Sequence, residues 1–191
     1  MTSTEPTADR YRRLAARLTE RIESVPGDKW DVASTCDGWT VRDVVRHIIE
    51  TEKNSLTPVG LSIPDGPAVD EDPVSAWAHT REQMQDILDD PARANLEYDG
   101  HFGRTDLASS IGSFYSLDLI VHAWDIAHPA GVADTIADED LDFVEAFIEQ
   151  LGDNIRMDGV CGPALDVPES ADRQTKVLAQ LGRDAGGLRR T

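Results

Sequence analysis

Several features that define other protein classes are scarce or absent in this 191-residue sequence. It has two cysteines, Cys36 and Cys161, which are too few for a disulfide framework. No apolar run approaches the roughly 20 residues that a membrane-spanning helix needs. The opening stretch MTSTEPTADRYRR lacks the apolar core of a secretory signal. We therefore expect a cytoplasmic protein.

Positive charge is also scarce, because 18 Lys and Arg stand against 36 Asp and Glu, giving a net charge of -18. Such a surface repels phosphate backbones and anionic lipids, so we expect neither nucleic acid nor a membrane as partner. It argues against close self-association without deciding between a monomer and a homodimer. A hydrophobic content of 40% supports one sizeable core. No linker or internal repeat is visible, so we expect a single domain over residues 1–191 with an ordered core of about residues 8–183.

The spacing of apolar residues predicts an all-α fold with no convincing sheet, apart from a short extended piece around residues 96–98. Thr40 and Asp43 form a variant capping box that opens the second helix. The loop over residues 54–72 is rich in proline and glycine. The predicted helices cover about residues 8–25, 40–53, 73–90, 105–128, 138–151 and 171–181, with Thr105 and Asp138 as the predicted caps of the fourth and fifth helices. An antiparallel four-helix bundle with long loops and an extra C-terminal helix fits this pattern.

The stretch LDLIVHAWDIAH, residues 117–128, carries the strongest functional signal. At about 100° per residue, Asp118, His122 and Asp125 lie within about 60° of one another on the helix. Most other positions are apolar or small, which is typical of a buried helix. Buried carboxylates are costly unless they are paired, hydrogen-bonded or bound to a metal. We therefore expect this helix to form the wall of a polar site in the core.

Spacing alone is weak evidence for a metal site here. With 36 acids and five histidines, chance gives about two acid–histidine pairs four residues apart. The chain has three such pairs: Asp43/His47, Glu97/His101 and Asp118/His122. Only the last lies in an otherwise apolar helix, where it fits either a metal or catalytic site or a buried ion pair.

His47 is the best candidate for a further ligand, because it flanks the apolar face of the second helix, and the alternative is a hydrogen-bonded histidine at the edge of the core. Two imidazoles and one carboxylate form a facial triad with open positions, suited to zinc, nickel or ferrous iron. Asp125 fits two roles, either orienting a ligand or anchoring a neighbouring helix. Cys36 precedes the second helix and fits either a small buried hydrophobe or a reactive thiol. The four tryptophans, Trp39 included, are interpreted as core aromatics.

Two segments resemble a known family. CDGWTVRDVVRH, residues 36–47, is similar to the entry of the second helix in mycothiol-dependent maleylpyruvate isomerase-like proteins, which belong to the DinB-like superfamily. DLIVHAWDIA, residues 118–127, resembles the second signature of that family. The resemblance implies a metal-binding four-helix bundle in which His47, Asp118 and His122 hold a divalent metal, typically zinc. The carboxylate is Asp118, where the characterised isomerase type has a glutamate.

The resemblance favours a transferase or isomerase in which the metal activates a small-molecule thiol, with mycothiol as implied cosubstrate, toward a small electrophile. The alternative is a module that binds a metal or small ligand without turnover. A buried ion pair in a bundle without a metal is the third reading. Enzymatic activity is favoured but not decided by the sequence.

Overall fold

The computed structural model of the protein describes residues 5–101, 103–156 and 161–186. Within these ranges the fold is predominantly helical, as predicted. The helices are α1 (Thr7–Ser24), α2 (Val41–Leu56), α3 (Pro73–Leu88), α4 (Pro91–Ala94), α5 (Leu107–Ser110), α6 (Ser116–Ala130), α7 (Asp138–Leu151) and α8 (Arg173–Gln180). A π-helical turn, Ile111–Tyr115, joins α5 to α6, and 3₁₀ turns cover Thr57–Val59 and Gly152–Arg156.

Residues up to Asp134 form one compact unit, and those from Thr135 onwards form a second. In the first unit α1 packs against α3 and α6, and α2 packs against the same two helices. The predicted all-α bundle of four main helices is therefore confirmed. The organisation of the chain as a single domain stays a prediction.

Contacts between side chains show the direction of the helices. The Gln85 amide donates to the Ala8 carbonyl at 3.2 Å, and Trp77 Nε1 donates to Thr19 Oγ1 at 2.9 Å. The later residue of α3, Gln85, contacts the start of α1, and the earlier residue, Trp77, contacts a later part of α1. These two helices are therefore antiparallel. His47 on α2 lies beside His122 on α6, with ring centroids 5.1 Å apart, whereas Glu52 further along α2 is within reach of the charge of Asp118, so α2 and α6 form the second antiparallel pair.

The long connection between α2 and α3 determines their relative direction. It leaves the C-terminal end of α2 at Leu56 and later passes Arg42, whose guanidinium donates to the Val69 carbonyl at 3.1 Å. The chain has therefore returned to the N-terminal end of α2 before α3 begins. α2 and α3 consequently run in the same direction. A parallel pair of this kind requires a connection long enough to return along the length of α2.

The predicted start of α2 is confirmed in detail. Thr40 Oγ1 accepts from the Asp43 backbone N–H at 3.2 Å, and Asp43 Oδ2 accepts from the Thr40 backbone N–H at 2.9 Å. This reciprocal arrangement satisfies two otherwise unpaired donors at the helix end. The apolar face that follows is buried, with Val41, Val44 and Val45 fully inaccessible.

The segment before α6 differs from the prediction. Strands β1 (Glu97–Gly100) and β2 (Gly103–Asp106) form an antiparallel hairpin that includes the predicted extended piece. Thr105, predicted as the helix cap, lies in β2, and Asp106 caps α5 by accepting from the Ser109 N–H at 2.7 Å. Asp is as good a cap as Thr, so the side chain alone does not choose between adjacent positions.

Two other helix boundaries also differ from the prediction. α6 continues through Pro129 to Ala130, because a proline in the last turn removes only one N–H from the helix. Gly131, with φ of 73°, ends the helix and donates its N–H to Ala127 and His128 carbonyls. Asp138, predicted as the cap of α7, is its first residue, and Ala137 occupies the cap position.

The second unit contains α7, a 3₁₀ turn and α8, with α7 and α8 in contact. The Arg173 guanidinium pairs with Asp142 and with Glu145, the latter at 2.7 Å. The apolar faces of the two helices are buried, including Leu141, Val144, Val177 and Leu178. No helix among the described residues is long and apolar enough to cross a membrane.

The capping box generates a stability prediction. Replacing Thr40 with Ala leaves the Asp43 N–H without its acceptor, so we expect the free energy of unfolding to fall by about 1 kcal/mol. Urea denaturation followed by circular dichroism measures this change. Thr40→Ser keeps the hydroxyl and serves as the control, which should lose at most a few tenths of that amount. Equal losses in both variants would show that the hydroxyl is not what stabilises the helix.

Candidate metal centre

Three predicted ligands from two helices meet in the bundle. His47 lies on α2, and Asp118 and His122 lie one turn apart on α6. One potential ligand atom from each of these residues lies within 4.8 Å of those from the other two. The two imidazole rings are 5.1 Å apart between centroids and nearly perpendicular, at 82°. This arrangement has the donor set of a metal site: two ring nitrogens and a carboxylate oxygen.

His47 is partly buried, and its surroundings oppose a positive charge. Burial and the neighbouring His122 lower the pKa of His47 to about 4. The ring is therefore neutral near pH 7, and a neutral imidazole has a lone pair available for a ligand bond.

His122 is buried in the opposite electrostatic setting. Burial by itself lowers the pKa, but hydrogen bonds with Asp125 and Cys36 and the charges of Asp125 and Asp118 raise the pKa of His122 to about 10. Its Nδ1 lies 2.8 Å from Asp125 Oδ2. The carboxylates around this ring thus favour positive charge at a buried position, whether a proton or a cation supplies it.

Asp125 has no solvent exposure and holds several groups together. Besides His122, its carboxylate accepts a short hydrogen bond from Thr35 Oγ1 and a weaker one from Cys36 Sγ at 3.4 Å. These contacts fit both roles considered for Asp125, orienting a ligand and anchoring a neighbouring helix. The carboxylate orients the His122 ring, and it also ties the segment preceding α2 to α6.

Cys36 therefore belongs to the same neighbourhood, whereas the sequence left open whether it is a small buried hydrophobe or a reactive thiol. Potential ligand atoms of Cys36, His122 and Asp125 form a second group within 4.8 Å of one another. The thiol side chain is partly exposed. In the sequence, the only indication that Cys36 belongs to the site is its position at the start of the motif that contains His47. The contact between Cys36 and Asp125 is visible only in the fold.

Trp39 corrects another prediction. Its side chain is 36% exposed rather than part of the core, and its ring lies 4.7 Å from the His47 ring. The other three tryptophans are buried as predicted: Trp30, Trp77 and Trp124. Trp39 is therefore a partly accessible aromatic side chain beside His47.

The remaining histidines lie outside this cluster. His79 Nε2 contacts the Pro64 carbonyl at 2.9 Å, and His101 is exposed in the hairpin region. His128, at the end of α6, pairs through Nδ1 with Asp134 Oδ2 at 2.7 Å.

Glu52 is a buried carboxyl group that sequence reasoning missed. It is 2% exposed, and its Oε2 accepts from the Tyr11 hydroxyl at 3.0 Å. Its Oε1 has no hydrogen-bond partner among the described residues. Burial raises the pKa of Glu52 to about 8, with the Tyr11 hydrogen bond opposing the rise and the charge of Asp118 adding to it. The available signal was its spacing from Ile48 and Ile49, which places it on the apolar face of α2.

Comparison with known families agrees with the predicted resemblance. Residues 11–94 match the family model described as Mycothiol maleylpyruvate isomerase N-terminal domain. The matched segment runs from α1 to α4 and includes His47, whereas Asp118 and His122 lie beyond it. No curated protein and no solved structure matches the chain. The resemblance to this DinB-like, mycothiol-related family is thereby confirmed.

Glu52 makes stability depend on pH. Its folded pKa of about 8 exceeds the ordinary 4.5, so the folded state holds the proton more tightly than the unfolded state. The resulting stabilisation is complete below about pH 4.5 and is lost as the pH rises toward 8. We expect chelator-treated protein to lose on the order of a few kcal/mol of unfolding free energy over this window.

Glu52→Gln removes this carboxyl, so we expect a much flatter dependence of stability on pH, measured by urea denaturation between about pH 5 and pH 8. Glu50→Gln, which removes an exposed carboxylate from the same helix, is the matched control and should retain the slope of the wild type. An unchanged slope in Glu52→Gln would assign the pH dependence to other groups.

Proposed function

We propose that this protein binds a divalent metal, zinc foremost, through His47, Asp118 and His122, and that it acts as a thiol transferase or isomerase on a small electrophile. The observation that carries the proposal is the convergence of these three side chains from α2 and α6 within 4.8 Å. The match to a mycothiol-related family supports a low-molecular-weight thiol as cosubstrate.

The donor set suits the proposed metal. Three protein ligands leave a tetrahedral zinc ion one position for water or substrate, which is the pattern of catalytic rather than structural zinc sites. The lowered pKa of His47 leaves that ring neutral, as a ligand imidazole has to be. Nickel and ferrous iron accept the same nitrogen and oxygen donors and remain alternatives to zinc.

When bound, a zinc ion supplies charge that favours the thiolate form of a coordinated thiol. The residues of the chain perform the positioning. Asp125 fixes the ring of His122 through Nδ1, which leaves Nε2 of that ring as the nitrogen for a metal. Trp39, exposed beside His47, offers an apolar face against which a substrate can pack.

The proposed partners are therefore a small-molecule thiol, with mycothiol as the leading candidate, and a small electrophile. We place the protein in the cytoplasm, where reduced thiols are abundant. Neither Cys36 nor Cys161 forms a disulfide within the described residues, which is compatible with a reducing compartment.

The ligand assignment predicts metal content. Protein purified without a metal-affinity column should contain about one equivalent of zinc, and His122→Ala and His47→Ala should each lose it, since a site with two ligands binds weakly. Elemental analysis measures the content of each variant. His79→Ala removes an imidazole outside the cluster and should keep the metal.

Full metal occupancy in either ligand variant would overturn the assignment. The absence of metal from the wild type, even after zinc is added, would leave a buried ion pair as the explanation of Asp118 and His122. Metal loading without thiol-dependent turnover across a panel of electrophiles would favour a binding module over an enzyme.

The role of Asp125 can be tested separately from the ligands. Asp125→Asn retains the size of the side chain but removes the negative charge that holds the His122 ring, so we expect metal affinity to fall by about 10- to 100-fold. Competition with a chromogenic chelator measures the affinity. Asp134→Asn is the matched control, because Asp134 binds Nδ1 of His128 in the same way outside the cluster. An unchanged affinity in Asp125→Asn would contradict a positioning role.

A further inference from the structure

Two contacts of Asp125 converge on its Oδ2 atom. Oδ2 lies 2.8 Å from His122 Nδ1 and 3.4 Å from Cys36 Sγ. The other oxygen, Oδ1, is occupied by the hydroxyl of Thr35. The ring nitrogen of His122 and the sulfur of Cys36 therefore both contact one carboxylate oxygen of Asp125, a residue with no solvent exposure. The hydrogen bond from Thr35 to the other oxygen holds this carboxylate in place.

These three atoms are of the types that bind a thiophilic cation. In the structure, Cys36 and His122 both donate hydrogen bonds to Asp125 Oδ2. A bound cation would take the place of these two protons and contact the same three atoms. One potential ligand atom from each residue lies within 4.8 Å of the others, so a single ion can contact all three with small side-chain adjustments. Two of the three residues are buried and their carboxylate is fixed by Thr35, which reduces the entropy cost of forming the site.

We propose that Cys36, Asp125 and His122 form a second metal site, selective for a thiophilic divalent cation of the zinc and cadmium class. It differs from the centre formed with His47 and Asp118 in its sulfur donor. It shares with that centre only His122. A neutral ring has one lone pair, so His122 serves one site at a time, through Nε2 in the first centre and through Nδ1 in the second. The site does not depend on the proposed enzymatic function.

The chemistry of binding involves no oxidation. The S–H bond of Cys36 and the N–H bond at Nδ1 of His122 break, both protons pass to the solvent, and the thiolate sulfur and Nδ1 form bonds to the cation. Thiolate sulfur is a soft donor, which favours zinc and cadmium over magnesium and calcium. The partial exposure of Cys36 provides a path by which the cation enters and the proton leaves.

Cadmium is the probe, because a cadmium–thiolate bond has a characteristic ultraviolet charge-transfer absorption. Cd²⁺ is added to the chelator-treated full chain, and the absorption is followed in the wild type and in four variants. We expect the band in the wild type, in Cys161→Ser and in His47→Ala, and its loss in Cys36→Ser. Asp125→Asn should weaken the affinity at least about tenfold. Circular dichroism checks that each variant is folded.

A second measurement uses the wild type alone. We expect Cd²⁺ to slow alkylation of Cys36 by iodoacetamide at least about tenfold, while Cys161 serves as the internal reference, with both rates read by mass spectrometry. This readout does not depend on the folding of any variant.

The outcomes separate this proposal from the proposed function. Absence of the band from the wild type, or equal alkylation of Cys36 with and without Cd²⁺, overturns the second site. Loss of the band in His47→Ala as complete as in Cys36→Ser also overturns it, because Cys36 would then be a ligand of the first centre. A band that persists in His47→Ala supports the second site even where the wild type shows no thiol-dependent turnover.

Discussion

The hydrogen bonds of Asp125 are the interaction on which the candidate centre depends. A carboxylate with no solvent exposure destabilises a helical core unless donors surround it. Here the donors are His122 from the same helix and Thr35 and Cys36 from the segment that leads into α2. Satisfying one buried charge therefore sets the ring orientation of a candidate ligand. It also fixes where α2 begins relative to α6, and so where the side chains of α2 meet those of α6.

The same constraint explains why two neighbouring histidines differ in charge. His47 and His122 are both withdrawn from water, which by itself lowers the pKa of each. Only His122 is bonded to a carboxylate, so its pKa rises to about 10, while His47 remains neutral with a pKa of about 4. A neutral ring beside a site that attracts positive charge is the electrostatic arrangement that a cation requires. Two adjacent cationic rings would repel one another and the metal.

Much of the fold follows from local patterns, and the centre follows from them in part. The capping box of Thr40 and Asp43 and the apolar spacing around it were sufficient to predict α2, because these are interactions between near neighbours. Asp118 and His122 were predictable for the same reason, as residues four apart on one helix face. The contact between Cys36 and Asp125 was not, because 89 positions separate them and only the packing of α2 on α6 joins them. The π-helical turn before α6 has no composition signal that distinguishes it from an ordinary helix.

That turn matters for the site, because a π-helical turn contains more residues than an α-helical turn and so rotates everything that follows it. An added residue changes the direction of later side chains by about 100° relative to an uninterrupted helix. The turn ends at Tyr115, immediately before the helix that carries Asp118. The matched family segment includes His47, whereas Asp118 and His122 lie beyond it on α6. The candidate centre thus combines a recognisable helix start with a helix that directly follows an irregular turn. The motifs predict the three candidate ligands, and the geometry adds that one potential ligand atom from each lies within 4.8 Å of the others.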